Sequence, residues 1–131
     1  MLRNPIHLRL ERHEAWQHLT FMASLCERMY PNYQMFCKQT EFGDPAIYRR
    51  ILDLVWETLV VKDAKVNFDS QLEKLEEAIP SAEDYDLYGV YPAIDACIAL
   101  GELIHSRLGG ETLEHAIAIS ETSIRTVAML E

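Results

Sequence analysis

Apolar residues recur at three- and four-residue steps along most of the chain, which is the spacing of amphipathic α-helices. Such stripes run through residues 16–29, 47–59, 68–79 and 113–128. We identify no convincing β-strand in the sequence. The pattern therefore predicts an all-α fold, a bundle of about six helices that forms a single domain over residues 1–131.

The helix predicted over residues 92–108 is apolar on nearly every side. Pro92 is expected to open it, because a proline in the first turn removes no helical hydrogen bond. Gly109 and Gly110 are expected to end it, since glycine favours the conformation that closes a helix. A helix that is apolar all round belongs in the interior, so we expect this one at the centre of the bundle.

Prolines also set other predicted boundaries. Pro31 is expected to end one helix and open a short one, because proline lacks a backbone donor and disfavours helix at the residue before it. Asp44 and Pro45 predict the cap and the first residue of a helix.

The last helix has no stop signal, and Glu131 carries the wrong sign for a helix C-terminus. We therefore expect the natural chain to continue beyond Glu131.

Composition and charge narrow the class of protein. The chain is 49% hydrophobic and 25% charged, as in an ordinary globular domain, and its formal net charge is −9. It has no apolar run of about 20 residues and no apolar signal region at its N-terminus, so we expect no membrane segment and a cytoplasmic location. A chain this acidic is poorly suited to binding nucleic acid.

The three cysteines, Cys26, Cys37 and Cys97, are widely spaced and form no CxxC pair. This spacing favours reduced, partly buried thiols over a disulfide framework or a zinc site. The sequence also has no Gly-x-Ser-x-Gly turn and no glycine-rich phosphate loop. We identify no catalytic residues and expect no cofactor.

The segment 83–92 is the first candidate site, because it interrupts the helical pattern with acidic and aromatic residues. Tyrosines offer rigid contact area, and carboxylates beside them would favour a basic peptide or a small cation. The alternative is that the tyrosines cover the end of the bundle while the acids face water. The candidate ligand or partner residues are Asp84, Tyr85, Asp86, Tyr88 and Tyr91.

A metal site on the 92–108 helix is the second candidate. Glu102 and His105 form a Glu-x-x-His unit, which di-iron helical bundles use because residues three apart project from one side of a helix. Asp95 lies one heptad before Glu102 and can share its stripe. Against this hypothesis, the chain contains no second Glu-x-x-His. The same three residues could instead line the solvated edge of the helix or pair with arginines.

Helix-packing surfaces form a third candidate. The two-sided stripe of 47–59 and the small residues around 116–120 permit close packing within the chain or across a dimer. We therefore expect a homo-oligomer.

Five segments together resemble the YjaG-like bacterial family known as domain of unknown function 416. The segments are NPIHLRLER (4–12), CERMYPNY (26–33), YRRILDLVWETL (48–59), VKDAKVNFDSQLEKLEEAIPSAEDYDLYGVYPAIDAC (61–97) and GETLEHA (110–116). The resemblance implies an all-helical bacterial cytoplasmic protein without assigned activity and without known catalytic residues. It also implies a longer chain, with acidic helical sequence after the position of Glu131.

Two hypotheses follow. The first is a non-enzymatic protein that binds a protein partner or a small cationic ligand through the 83–92 segment. The second is a metal-dependent helical-bundle enzyme that uses Asp95, Glu102 and His105.

Overall fold

A computed structural model describes residues 5–61 and 63–130, with the side chains of all of these except residues 6, 129 and 130. The described residues form six α-helices and one 3-10 turn (Ala82–Asp84), and they contain no strand. The predicted all-α bundle is confirmed. The helices are α1 (Pro5–Leu10), α2 (Ala15–Thr40), α3 (Pro45–Val60), α4 (Phe68–Ala78), α5 (Val90–Gly109) and α6 (Thr112–Leu130).

Helix α5 is the central helix, as its apolar composition predicts. Its most extensive contacts are with α2 and α6, and it also contacts α3 and α4. The hydroxyl of Tyr48 on α3 reaches two backbone carbonyls, at 3.2 Å from Cys26 on α2 and 3.1 Å from Ala96 on α5. This buried side chain therefore joins the three helices where they meet.

Helix α2 runs unbroken through Pro31, so the predicted boundary there is wrong. The buried stripe of α2 continues across the proline, from Cys26 and Met29 before it to Tyr33 and Phe36 after it. A proline inside a helix costs about 3 kcal/mol. Burial of the large side chains on both sides of Pro31 offsets that cost, because each contributes roughly 1.5–3 kcal/mol.

Two other predicted boundaries are confirmed. Helix α3 begins at Pro45, and the Asp44 carboxylate accepts a hydrogen bond from the backbone N–H of Ala46 at 2.9 Å. Helix α5 ends at Gly109, and Gly110 follows with a φ of 80°, a conformation that glycine adopts without strain. Glu131, on which the missing stop signal depends, lies outside the described residues.

None of the described helices is both long enough and apolar enough to cross a membrane.

Candidate interaction surface

The 83–92 segment is shorter than its sequence suggests, because α5 begins at Val90 rather than at Pro92. Pro92 therefore lies within the first turn, where backbone N–H groups have no helical partner and a missing donor costs nothing. Tyr91 becomes part of α5. Tyr88 remains in the turn just before the helix.

Tyr85 is separated from the other two tyrosines. Its half-buried ring packs edge-on against Phe36, with ring centroids 4.9 Å apart, and against Phe42, with centroids 5.9 Å apart. These contacts hold the Tyr85 ring against the hydrophobic core. Tyr85 therefore packs on the bundle, as in the alternative interpretation of this segment, and its ring contacts other residues of the same chain.

Tyr88 and Tyr91 face solvent together. Their side chains are 61% and 48% exposed, and their ring centroids lie 6.2 Å apart in an edge-to-face arrangement. Asp84 and Asp86 are exposed in the same short stretch of chain. Four of the five predicted loop residues are therefore exposed, and two of them, Tyr88 and Tyr91, are in contact.

Met35 extends this surface onto α2, with a side chain that is 62% exposed. It borders a shallow cavity of about 60 Å³ that is closed by Gln39 of α2 and by Gly89 and Pro92 at the start of α5. We call the residues Met35, Asp84, Asp86, Tyr88 and Tyr91 the acidic aromatic surface.

A narrow stripe of α5, exposed or partly exposed to solvent, continues from this surface along the helix. Its most exposed apolar members are Tyr91, Ile98 and Leu108, with exposures of 48%, 40% and 44%. The stripe follows the alternating three- and four-residue spacing of a coiled-coil contact, in which two helices pack side by side. We call it the α5 seam; its residues are Tyr91, Ile94, Ile98, Gly101, His105 and Leu108.

The seam was missed in the sequence because α5 is apolar on every side. An open stripe on such a helix has no polar residues to mark it. The signal that could have found it is the heptad spacing from residue 91 to residue 108, which a fully enclosed helix does not need.

The residues of the predicted metal site are held by other partners. Asp95 is 5% exposed, and its carboxylate accepts hydrogen bonds from Arg125 at 2.5 Å and from the Thr126 hydroxyl at 2.8 Å. Glu102 pairs with Nδ1 of His115 at 2.5 Å. Both carboxylates therefore connect α5 to α6.

His105 does not join these two carboxylates. Three residues rotate it about 60° around α5 from Glu102, so it lies exposed on the α5 seam. Within residues 5–61 and 63–130, no group of three His, Cys, Asp or Glu side chains could hold a metal ion. The Glu-x-x-His spacing is present, but the described chain does not assemble a ligand set around it.

A family model described as "Protein of unknown function (DUF416)" matches residues 5–131. The chain belongs to the DUF416 family. This confirms the resemblance seen in the sequence.

Three bacterial relatives of this DUF416 chain cover nearly all of it. "Uncharacterized protein YjaG" of Salmonella typhimurium is 84% identical over 131 residues, and the protein of the same name in Escherichia coli is 82% identical; each match spans 100% of this chain and 67% of the relative. A protein of Haemophilus influenzae is 57% identical over 130 residues, which are 98% of this chain and 66% of the relative.

A solved structure confirms the fold. The crystal structure of a DUF416 family protein from Shewanella baltica is 39% identical and superposes with a TM-score of 0.91. The match covers 96% of this chain and 64% of that chain. This DUF416 chain therefore spans about two thirds of the length of its relatives.

The cysteines of this DUF416 chain are free and buried, as predicted for reduced thiols. Burial raises the pKa of the Cys26 thiol to about 12, and burial also raises the pKa of Cys37 and of Cys97. A thiol is nucleophilic only as the thiolate. These three thiols are therefore protonated at neutral pH and enclosed in the core.

Alanine substitutions should separate the two kinds of tyrosine in this DUF416 chain. We expect Tyr85→Ala to lower the free energy of unfolding by about 2 kcal/mol, because a half-buried aromatic contact is lost. Tyr88→Ala should change it by less than about 0.5 kcal/mol, since exposed side chains contribute little. Urea denaturation followed by circular dichroism measures both, and equal effects would contradict the assignment of Tyr85 to the bundle.

Proposed function

We propose that the chain is a non-enzymatic interaction protein whose acidic aromatic surface binds a basic segment of a protein partner. The observation that carries the proposal is the pair of exposed rings of Tyr88 and Tyr91, in contact with each other and close in the chain to Asp84 and Asp86. Tyrosine is among the residues that contribute most to binding energy at interfaces. The cytoplasmic location predicted from the sequence is part of this proposal.

Charge supports a basic partner. Asp84 and Asp86 are exposed a few residues before the aromatic pair in the chain, and the chain carries a net charge of −9. Complementary charge around an apolar contact steers association and excludes partners of the wrong sign. A lysine- or arginine-rich segment satisfies both the carboxylates and the rings, because cations also bind to aromatic faces.

Size favours a protein partner over a small cationic ligand. The cavity beside Gly89 holds about 60 Å³, far below the roughly 300–1,000 Å³ of ordinary ligand pockets. The α5 seam, in contrast, extends from Tyr91 to Leu108, a distance of about 26 Å along a helix. A stripe of this length and spacing suits a partner helix, with its basic end at Asp84 and Asp86.

Two synthetic helical peptides test this function. Both carry the same leucines at heptad spacing, and their remaining positions are lysine in one and glutamate in the other. We expect the lysine peptide to bind at least tenfold more tightly in isothermal titration calorimetry, with an affinity that falls as salt is added. Joint replacement of Tyr88 and Tyr91 by alanine should weaken its binding by at least tenfold, or about 1.4 kcal/mol.

The control is Trp16→Ala, which removes an aromatic side chain of similar exposure, 59%, from the beginning of α2. This variant should bind the lysine peptide like the wild type. Equal binding of the two peptides, or an unchanged affinity after the double tyrosine substitution, would contradict the proposal.

The predicted homo-oligomer remains a prediction, and the α5 seam offers it a site. Sedimentation equilibrium of the wild type and of Ile98→Asp tests it. A dimer that dissociates in Ile98→Asp would assign the seam to a second copy of the chain. If the wild type is a monomer, no second copy binds the α5 seam, and the seam is available to the basic partner helix.

A further inference from the structure

A groove between α2 and α6 is lined by residues other than those of the acidic aromatic surface. Its larger part is a cavity of about 280 Å³, and a neighbouring cavity of about 140 Å³ continues it. The two cavities share Arg28 of α2 and Ser123 and Val127 of α6. Together they form a continuous depression along the line where the two helices meet.

The walls of the groove are two helical stripes. Phe21, Leu25 and Arg28 face it from α2 at steps of four and three residues, and Ile124 and Val127 face it from α6 three residues apart. Two such stripes side by side create the ridges and intervening groove into which a third helix packs. The shape therefore favours a helix as the occupant.

The apolar residues of the α6 wall are incompletely covered. Ile124 is 51% exposed and Val127 is 48% exposed, whereas Leu25 on the opposite wall is 8% exposed. Arg28 stands at the groove and makes no hydrogen bond or ion pair within the part of the chain that the structure describes. A helix with an apolar face and an acidic residue at its edge would cover the first two residues and pair with the arginine.

The greater length of the relatives suggests a source for such a helix. The Shewanella baltica structure reproduces 96% of this chain at a TM-score of 0.91, yet the match covers 64% of that chain. About a third of each curated relative likewise lies outside the match. A helix of that additional sequence would need an apolar surface to pack against, and the α6 wall of the groove offers one.

We propose that the α2–α6 groove binds an amphipathic helix. The helix belongs to the additional sequence, about a third of each relative, that this chain does not match. This inference does not depend on the proposed function, because no residue of the acidic aromatic surface lines the groove. In the longer relatives the helix covers Ile124 and Val127 and so completes the core between α2 and α6.

Thiol labelling tests the proposal. Val127→Cys is made in this 131-residue chain, and the same position is changed to cysteine in the full-length Salmonella typhimurium relative. The reaction rate with a maleimide is then measured for each protein under native conditions. The native cysteines of this chain are buried, so the introduced thiol dominates the reaction.

We expect the introduced thiol to react at least tenfold more slowly in the full-length relative than in this chain. Met35→Cys, at a position that is 62% exposed and lies outside the groove, provides the reference rate in each protein. Ile124→Cys repeats the measurement on the same wall. Equal relative rates in the two proteins would overturn the proposal.

A second copy of the chain is the competing occupant. Protection of the Val127→Cys thiol in the 131-residue chain itself, growing with protein concentration, would assign the groove to self-association and would also overturn the proposal.

Discussion

Replacing Tyr48 with alanine is expected to lower the free energy of unfolding by about 4 kcal/mol, a large share of the stability of a small domain. The Tyr48 ring is fully buried and packs against Tyr30 and Tyr33, with ring centroids 5.4 and 5.6 Å away. Its hydroxyl lies within hydrogen-bond distance of carbonyls on α2 and α5. Alanine would leave a cavity at the junction of three helices.

The matched control is Tyr48→Phe, which keeps the ring and removes only the hydroxyl. It should cost about 1 kcal/mol, the usual contribution of one hydrogen bond. Urea denaturation of the wild type and the two variants gives all three free energies. A loss below about 1.5 kcal/mol for the alanine variant would show that Tyr48 does not hold the three helices together.

Stability is expected to fall steeply between pH 8 and pH 10, by about 3 kcal/mol from Cys26 and Cys97 together. Burial raises the pKa of Cys26 from 9.0 to about 12, and burial also raises the pKa of Cys97. The unfolded chain therefore loses these protons near pH 9 while the folded chain keeps them. A raised folded-state pKa stabilises the fold below the unfolded pKa, and that stabilisation is lost as the pH rises toward the folded value.

Guanidinium denaturation at half-unit steps of pH measures this dependence. The control is the Cys26→Ala, Cys97→Ala double variant. Its free energy of unfolding should be lower than that of the wild type at pH 8 but should fall less between pH 8 and pH 10. The buried tyrosines begin to contribute only near pH 10, the ordinary phenol pKa. Parallel profiles for the wild type and the double variant would show that the two thiols are not the source of the alkaline loss.

Helix boundaries were predictable where one local interaction decides them. Asp44 caps α3, and Gly110 closes α5, through hydrogen bonds and backbone preferences that act within a few residues. Pro31 was misjudged because its local cost is outweighed by burial on both sides of it, which depends on helices far away in the chain. Pro92 was misplaced by two residues because a proline is tolerated anywhere in the first turn.

The candidate site was predictable in composition but not in arrangement. The sequence identifies the segment that contains all three tyrosines. It does not show that Tyr85 packs against Phe36 and Phe42 while Tyr88 and Tyr91 stay exposed. Likewise, the spacing of Glu102 and His105 was visible, whereas the partners that α6 supplies to the carboxylates were not. These contacts join residues distant in sequence, and a single sequence carries no record of them.

Photo-crosslinking in living bacteria tests whether the acidic aromatic surface binds a protein partner. A photoreactive phenylalanine derivative replaces Tyr88 in the chain, and Trp16 in a control, and the crosslinked products are identified by mass spectrometry. We expect position 88 to capture one protein through a basic helical segment and position 16 not to capture it. Crosslinking at position 88 that is absent, or that involves the same proteins as position 16, would contradict the assignment of the acidic aromatic surface to partner binding.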